Sequence, residues 1–451
     1  MSTALTRSLG EFIANLKYKD IPADGISVIK TGFADCVGVM FAGASEPLVE
    51  ILTQTFNPIA GESRLHFGPR TAPAPQAAWI NGAAAHALDY DDVALRGHPS
   101  TVLVPAILAE AQALGASGEE MIAAYAAGYE TWGELVSRDQ DHYHAKGWHP
   151  TGVFGAIGAA AACARLNKLD AEQCTQAIAL GASQSAGLMS NFGTMTKPFH
   201  AGHAAHAGVL AARLVKGGFT AAVDALEHTQ GFLAALSPKG RFDAESPINA
   251  GKEWQILKAQ LGIKKYPLCY CTHRALDGIH DLVKAHQVAV DSIQRVVVNT
   301  SRLNTTILKN HRPQTGLEAK FSMEFAMASV LVRGRAGLNE LQDDFVQTKE
   351  VQALMRKVEV VPDDREDPEQ PGRSPYDLVT VEVADGRKIE SPKVRDIRGG
   401  PVLPLSREDL WTKFSDCVRV SKVKIDAAGL FETLMGLEKL DNAGRLPHYG
   451  G

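Results

Sequence analysis

The first 240 residues form a nearly continuous series of alanine- and glycine-rich segments whose apolar residues recur at helical spacing. The stretches IGAAAACARL and GHAAHAGVLAA are typical of this region. Alanine has the highest helix propensity, and its small side chain allows helix axes to approach closely. No fixed-period repeat is visible, which argues against a solenoid. The sequence therefore predicts an all-helical body built from closely packed helices.

Local start and stop signals set the limits of several of these helices. One helix is expected to end at Gly43, and another to begin near Lys197, because a proline follows at position 198. Asp170 is predicted as an N-cap, with Gly187 near the C-terminal end of the same helix. The N-terminal segment lacks a secretory pattern and is predicted to be a surface helix.

The character of the sequence changes near residue 265. SIQRVVVNTS, KVEVVPDD and DLVTVEVADGRKIESPKV are rich in β-branched residues and predict strands, the last as a hairpin turning at Asp-Gly. The segment PDDREDPEQPGRSPYD is expected to be an exposed loop. Helical patterns return after residue 404. The predicted fold class is mainly α with an inserted α+β domain: a helical body over 1–265, the α+β domain over 266–403, and C-terminal helices over 404–451 that return to the body. A cleft between two such domains is a common place for a site.

Composition excludes several function classes. The chain of 451 residues is 45% hydrophobic and 22% charged, with a net charge of −5 and no basic block, which argues against nucleic-acid or anionic-membrane partners. The apolar runs are too short to span a bilayer, so a cytoplasmic protein is predicted. The six cysteines form no C-x-x-C motif, and we expect free thiols, with a metal or disulfide at Cys269 and Cys271 as a less favoured alternative.

Polar side chains interrupt the apolar helices first around residues 86–98. His86 and Asp89 are three residues apart, so on a helix they would share a face, and His98 follows in a loop. A carboxylate beside an imidazole raises the imidazole pKa and fixes its tautomer. The alternative is that Asp89 and Asp92 cap turns and that His98 is an ordinary loop residue.

Two further segments contain histidines near predicted helix starts. His149 precedes Pro150 at the entrance of an alanine-rich helix, where unpaired N–H groups can bind an anion. The segment GTMTKPFHAGHAAHAG contains Lys197 and histidines at positions 200, 203 and 206. Zinc-binding helices more often space their histidines four apart, so a metal site at these three is the less favoured alternative to packing histidines with one substrate contact.

The segment KKYPLCYCTHRALDG places several cationic groups at the junction of the two predicted domains. Lys264, Lys265 and Arg274, together with His273, would suit a polycarboxylate, although a solvated basic stretch is the alternative reading. The chain has neither G-x-G-x-x-G after a strand nor G-x-S-x-G, so a dinucleotide site and a serine nucleophile elbow are not expected.

Five motifs in order resemble the MmgE/PrpD family across nearly the whole chain. They are NGAAAHALDYDD…GHPS, GWHPTGVFGAIGAAAA, GTMTKPFHAGHAAHAGVLAA, YPLCYCTHRALDG and AKFSMEFAMA. The family includes 2-methylcitrate dehydratases, cis-aconitate decarboxylases and iminodisuccinate epimerases. The resemblance implies a large helical domain, a smaller α+β lid domain, a homodimer and a metal-free, cofactor-free site between the domains.

The resemblance also implies which residues act. Its catalytic set corresponds to Asp89, His98, His149, Lys197 and His273. The decarboxylase branch has a threonine four residues after the matching aspartate, whereas this chain has Val93. The loop before His98 is short and contains Arg96, unlike the longer segment of the dehydratases. Both departures weaken a direct transfer of either activity.

The predicted function is that of a cofactor-independent lyase, of dehydratase or decarboxylase type, acting on a small di- or tricarboxylate of the methylcitrate or aconitate kind. Histidines would transfer a proton beside a carboxylate, with His98 and His149 as the acid–base pair, and cations would stabilise the developing charge. The residues expected to bind substrate are Arg96, Lys265, His200 and Arg274. The alternatives are an epimerase of a substituted succinate such as iminodisuccinate, and a non-catalytic binding protein.

Overall fold

The computed structural model describes residues 4–370 and 372–449, and the chain divides into two compact units. The helical unit comprises the residues up to Ala87, Asp91–Ile263 and the chain from Ser406 onward. The mixed unit comprises Leu88–Tyr90 and Lys264–Leu405. The chain is largely helical and has a small sheet, as the sequence predicts.

The helical unit contains eleven α-helices before residue 264 among its described residues. A short two-stranded antiparallel ribbon, β1 (Ser63–Arg64) and β2 (Thr71–Ala72), lies between the third and the fourth. The helices are α1 (Leu5–Asn15), α2 (Ala23–Gly43), α3 (Pro47–Phe56), α4 (Ala74–His86), α5 (Ser100–Leu114), α6 (Gly118–Ser137), α7 (Pro150–Leu166), α8 (Ala171–Ser183), α9 (Thr196–Lys216), α10 (Phe232–Leu236) and α11 (Gln255–Lys258).

Small residues determine how closely the central helices pack. Helix α9 packs against both α4 and α7. A Cβ atom added to Gly202 would lie 2.3 Å from the carbonyl oxygen of Trp79, and one added to Gly208 would lie 2.2 Å from the Cβ atom of Ala159. Because no side chain larger than hydrogen fits at these two positions, the backbones of the helices that carry His86, His149 and Lys197 are held close together.

Helix α2 is the one described helix whose length and composition would allow it to cross a membrane. Its apolar window is 72% buried within the fold. It packs against α4 and α5, as a core helix of a globular unit does. The sequence reading did not single out this helix as long and apolar enough to span a bilayer.

Among its described residues, the mixed unit combines six α-helices with a four-stranded sheet in the order β4-β3-β5-β6. Strands β3 and β4 are parallel and the other pairs are antiparallel. The predicted Asp-Gly turn lies between β5 and β6, where Gly386 has a φ of 85°. The elements are α12 (His273–Ala285), β3 (Ile293–Ser301), α13 (Arg302–Ile307), α14 (Gly316–Ala319), α15 (Met323–Arg333), α16 (Asp343–Val346), α17 (Lys349–Met355), β4 (Val358–Asp363), β5 (Leu378–Val383) and β6 (Lys388–Glu390).

The C-terminal helices belong to the helical unit. Helix α18 (Arg407–Ser421) packs on α2, and helix α19 (Ala427–Met435) packs on both. A buried ion pair between Lys413 and Asp35 joins α18 to α2, with 2.6 Å between Nζ and Oδ1. These packing and ionic contacts hold the C-terminal helices against α2.

Several local predictions are confirmed and three are wrong. Asp170 caps α8 by accepting a hydrogen bond from the backbone N–H of Gln173. That helix ends at Ser183, however, so Gly187 lies beyond its end. Helix α4 ends at His86, and Asp89 follows it with a φ of 51°, so the two do not share a helix face. The acidic loop after β4 is not simply exposed, because Asp367 and Ser374 are buried; Pro371 lies outside the described residues.

Candidate active site

A single carboxylate at the end of α4 contacts two imidazoles. Asp91 Oδ1 lies 2.8 Å from His86 Nδ1, and Asp91 Oδ2 lies 3.0 Å from His98 Nδ1. His98 Nδ1 also lies 2.9 Å from the carbonyl oxygen of Asp92. Because carboxylate and carbonyl oxygens accept hydrogen bonds, both rings carry their proton on Nδ1. Asp91 therefore fixes the tautomer of His86, and the Asp92 carbonyl oxygen fixes that of His98, with Asp91 Oδ2 beside the same nitrogen.

Burial and charge together set the protonation of this group. Burial lowers the pKa of His86 to about 4, although Asp91 opposes the shift. Burial alone would raise the pKa of Asp91, but hydrogen bonds and charge from His86 and His98 keep it well below its usual value. At neutral pH the pair is a carboxylate that accepts a hydrogen bond from the neutral imidazole of His86.

The pKa of the neighbouring carboxyl, Asp92, is shifted in the opposite direction. Asp92 is fully buried, and burial raises its pKa well above the usual value. Its Oδ1 accepts a hydrogen bond from the backbone N–H of Ser100, and its Oδ2 contacts the Ser100 hydroxyl, which lies 2.7 Å from the Tyr125 hydroxyl. Asp92 thus helps to cap α5, which is the structural role that the sequence offers as the alternative.

A second pair of imidazoles lies at the start of α7 and on α9. His149 is the residue immediately before α7, and its Nδ1 lies 3.1 Å from Nδ1 of His200. One of these two nitrogens must donate and the other accept. Burial, then the charge of Lys197, lowers the pKa of His149 well below its usual value; burial also lowers the pKa of His200 to about 4. Both rings are therefore neutral at pH 7.

Four histidine rings form a row within the helical unit. The centroid separations are 4.5 Å from His98 to His86, 6.0 Å from His86 to His149, and 5.4 Å from His149 to His200. The Nε2 atoms of His86 and His149 are buried and have no hydrogen-bond partner among the described residues. A buried imidazole nitrogen without a partner is costly, so two positions in this row are suited to a substrate atom or water.

Lys197 supplies the positive charge of this row. It lies in the first turn of α9, as predicted, and is 5% exposed. Its Nζ lies 5.1 Å from the centre of the Phe192 ring, which itself packs edge-on against His149. Its charge lowers the pKa values of His86, His149 and His200, in each case after the larger effect of burial.

Among the described residues of the helical unit, His86, Asp91 and His98 belong to a group that could hold a metal ion, with ligand atoms within 4.8 Å of one another. Their Nδ1–carboxylate distances are those of hydrogen bonds. The other histidines of α9 are placed differently: the rings of His203 and His206 pack on Trp79, and His206 Nδ1 lies 3.0 Å from the Pro75 carbonyl oxygen. These contacts agree with the packing interpretation of that segment.

The mixed unit contains the other predicted residues. Asp89 Oδ1 lies 3.0 Å from Nζ of Lys264, which also donates to the Asp89 carbonyl oxygen, and both side chains are buried. Lys265 is exposed beside the Tyr266 ring. His273 begins α12, and its Nε2 lies 3.2 Å from the Leu268 carbonyl oxygen. Asp89, His98, His149, Lys197 and His273 are therefore distributed over both units.

Arg96 and Val93, two further positions singled out in the sequence, make hydrogen bonds within the helical unit. Arg96 donates from Nη1 to the carbonyl oxygens of Asp139 and Asp141, at 3.2 and 2.8 Å, and so holds a loop of the helical unit. Val93 exchanges two backbone hydrogen bonds with Gly262, both 2.9 Å long. Both of these bonds are made by the backbone of Val93, so they do not depend on its side chain.

Three residues that the geometry makes prominent are absent from the predicted site: His86, Asp91 and Lys264. A signal for Asp91 is present in the sequence, because Asp-Tyr-Asp-Asp offers three carboxylates within reach of one turn. No local signal distinguishes the buried Lys264 from its exposed neighbour.

Comparison with protein families agrees with the motifs. The MmgE/PrpD N-terminal domain matches residues 7–245, and the MmgE/PrpD C-terminal domain matches residues 266–428. The chain belongs to the MmgE/PrpD family. The resemblance inferred from the five motifs is thereby confirmed.

Three curated relatives are similar over most of their length. The cis-aconitate decarboxylase of Homo sapiens is 27% identical over 442 residues, covering 92% of this chain and 88% of the relative. The enzyme of that name from Mus musculus is 26% identical, covering 98% and 92%. The one from Aspergillus terreus strain NIH 2624 is 26% identical, covering 91% and 89%. Family and relatives together identify the chain as an enzyme of the lyase type.

Proposed function

We propose that the protein is a cofactor-independent lyase that acts on a small di- or tricarboxylate of the aconitate or methylcitrate kind by histidine acid–base chemistry. The observation that carries this proposal is the row of four imidazoles in the helical unit, with Asp91 behind one end and Lys197 beside the other. The relatives named cis-aconitate decarboxylase support the same class of substrate.

The charges around the four imidazoles explain why binding of an anion would allow one of them to take up a proton. Without substrate, burial and Lys197 keep His149 neutral. A bound polycarboxylate adds negative charge, which opposes both effects and raises the imidazole pKa. Binding would thereby allow His149 to take up a proton that it can then transfer. The general acid would be protonated only when substrate is present.

The geometry suggests a role for each group. His149 Nε2 is a buried nitrogen without a partner and would exchange the proton with the carbon beside the carboxylate. His98, held by Asp91, would be the second acid–base group. Lys197 would stabilise the negative charge that spreads into the carboxylate. Asp91 is a positioning residue, because it acts through the two imidazoles.

Decarboxylation, dehydration and epimerisation all include this proton transfer. In decarboxylation the bond to a carboxylate breaks, carbon dioxide leaves, and the electron pair left on carbon takes a proton from an imidazolium. In dehydration a base removes the α-proton and hydroxide leaves with a proton from the acid. In epimerisation, the alternative function, the proton returns to the opposite face. Because Val93 lacks the hydroxyl that the decarboxylase branch has at this position, all three reactions should be tested.

The experiment is NMR of the purified enzyme in deuterated water with cis-aconitate, 2-methylcitrate and iminodisuccinate, each in turn. Formation of a decarboxylated or dehydrated product with one of the first two supports the proposed lyase. Deuterium exchange with inversion in iminodisuccinate alone would replace it by the epimerase. No reaction and no exchange with any of the three would contradict the substrate class.

Matched variants connect that activity to the row. His149→Ala and Lys197→Ala should lower turnover at least about 100-fold, the usual contribution of a general acid or a charge stabiliser. His203→Ala is the control, because its ring packs on Trp79 on the same helix as Lys197. Equal turnover in all three variants would contradict the assignment.

Metal independence is a separate part of the proposal. Dialysis of the active enzyme against a chelator should leave turnover unchanged, because the proposed chemistry uses only protein groups. Loss of turnover that returns with a divalent cation would instead assign His86, Asp91 and His98 to a metal.

A further inference from the structure

A cationic cavity of about 280 Å³ lies in the mixed unit. Arginines dominate its polar lining, and one acid, Asp396, joins them. Tyr270 and the chain around Gly400 complete its wall. Its polar lining includes Tyr270, Arg274, Arg373, Arg395 and Asp396.

Arg274 is buried in an environment that disfavours a cation. It is 4% exposed and is the second residue of α12, where the helix dipole is positive. Its Nη1 donates to the Ser374 carbonyl oxygen at 2.7 Å and its Nη2 to Gln370 Oε1 at 2.9 Å, but its Nε is buried without a partner. Asp377 is the nearest acid, with its Oδ1 4.0 Å away. Burial lowers the pKa of Arg274, in keeping with a cation that is incompletely compensated.

Arg373 contributes an uncompensated guanidinium. It is half-buried, and its side chain makes no hydrogen bond or ion pair to any residue within 4–370 or 372–449. Arg395, by contrast, is paired with Asp367 and Glu369. The charges of Arg373 and Arg274 are therefore matched in number by those of Asp396 and Asp377, and what the cavity offers an anion is N–H donors that lack an acceptor among the described residues.

We infer that this cavity binds a small oxyanion, a carboxylate or a phosphate of metabolite size. A guanidinium fork matches two oxygens of such a group, and the donors available are the whole fork of Arg373 and the orphaned Nε of Arg274. The Tyr270 side chain supplies a further hydroxyl on the same wall. Arg274 is also a predicted substrate-binding residue, but no donor of this cavity belongs to the row of imidazoles, so loss of anion binding here and loss of turnover at the row are separate outcomes.

The test is isothermal titration of the wild-type protein with citrate and, separately, with inorganic phosphate, against a sodium chloride blank. Arg373→Gln should weaken binding of the preferred anion about tenfold or more, the effect of losing a charge-assisted hydrogen bond. Arg387→Gln is the control, because Arg387 is an exposed arginine of the β5–β6 hairpin in the same unit. Binding of citrate or of phosphate that Arg373→Gln weakens and Arg387→Gln does not supports the site and identifies the oxyanion. Binding of neither, or equal binding by the two variants, overturns it.

A second measurement uses the unaltered protein and so does not depend on how the variants fold. Modification by phenylglyoxal, followed by mass spectrometry, should label Arg373, and the preferred anion should protect it at least about tenfold. Arg387 should be labelled to the same extent with and without the anion. Labelling of Arg373 that the anion does not change would contradict the inference, whatever the turnover of the enzyme.

Discussion

Asp89 and Asp91 are two residues apart, carry the same side chain and are both buried, yet they belong to different units and have different partners. Asp89 belongs to the mixed unit and pairs with the buried Lys264. Asp91 belongs to the helical unit and contacts two imidazoles. Asp92, the next residue, has a raised pKa because it is buried, and it accepts a hydrogen bond from the Ser100 N–H. The partner, and not the motif, thus decides whether a buried carboxyl balances a charge, orients a base or caps a helix.

The largest change in turnover is expected on replacing Asp91, and a much smaller one on replacing its neighbour Asp92. Asp91→Asn replaces one acceptor oxygen with a donor and leaves one imidazole in the wrong tautomer, so turnover should fall about 10³- to 10⁴-fold, as when a carboxylate behind a catalytic histidine becomes an amide. Asp92→Asn keeps the shape of the side chain and an acceptor oxygen for the Ser100 N–H, so it should change turnover less than about tenfold. Steady-state kinetics on the substrate found by NMR measures both. Similar losses of turnover in the two variants would show that Asp91 and Asp92 do not differ in their importance for catalysis.

The next effect concerns the ion pair of the mixed unit. Lys264→Met leaves Asp89 buried without its cation and should cost about 3–5 kcal/mol of unfolding free energy. Lys265→Met, one residue later and exposed, should change the unfolding free energy by less than about 0.5 kcal/mol. Urea unfolding of the two variants is the measurement. Equal stability would show that Asp89 does not depend on Lys264.

The imidazoles of the helical unit should make the protein sensitive to acid. His86 and His200 have native pKa values of about 4, against about 6.5 when unfolded, so the unfolded chain binds more protons between these values. Their stabilising contribution is complete above about pH 6.5 and is lost as the pH falls towards 4. For His86 alone the loss is on the order of 3 kcal/mol.

Urea unfolding between pH 8 and pH 4 measures that slope. His86→Gln should flatten it, whereas His286→Gln, which removes an exposed histidine of the mixed unit, should not. A slope that His86→Gln leaves unchanged would mean that the native His86 is not held neutral.

The smallest effect tests the packing behind the row. Gly202→Ala would place a methyl group 2.3 Å from the Trp79 carbonyl oxygen and force α9 away from α4, at a cost of about 1–3 kcal/mol. Gly68→Ala has open space and is the control. Thermal unfolding compares the two, and a Gly202→Ala protein as stable as the control would show that the close approach is not required.

Local patterns predicted much of this structure and failed where partners come from distant segments. The alanine-rich helices, the start of α9 at Lys197 and the Asp-Gly hairpin follow from propensity and turn chemistry, which act over a few residues. The pairing of His86 with Asp89 failed because it assumed that α4 continues past His86. Asp89 instead adopts a left-handed conformation, and its partner Lys264 is 175 residues away in sequence.

The site was predicted to a similar extent. The motifs identified His98, His149, Lys197 and His200, and the structure brings them together in one unit. The contact between His149 and His200 spans 51 residues, so no spacing rule gives it. Arg373 was also missed, because charge compensation depends on which acids the tertiary fold brings near each arginine.

Asp91 holds the neutral imidazole of His86 in one tautomer within the row proposed to transfer a proton. Nitrogen-15 NMR of histidine-labelled protein tests this directly, with His86 assigned by its loss in His86→Gln. At pH 7 we expect His86 to be neutral, protonated at Nδ1 and unprotonated at Nε2, and we expect Asp91→Asn to change this pattern. A doubly protonated His86 at pH 7, or one protonated only at Nε2, would show that Asp91 does not hold it in this way.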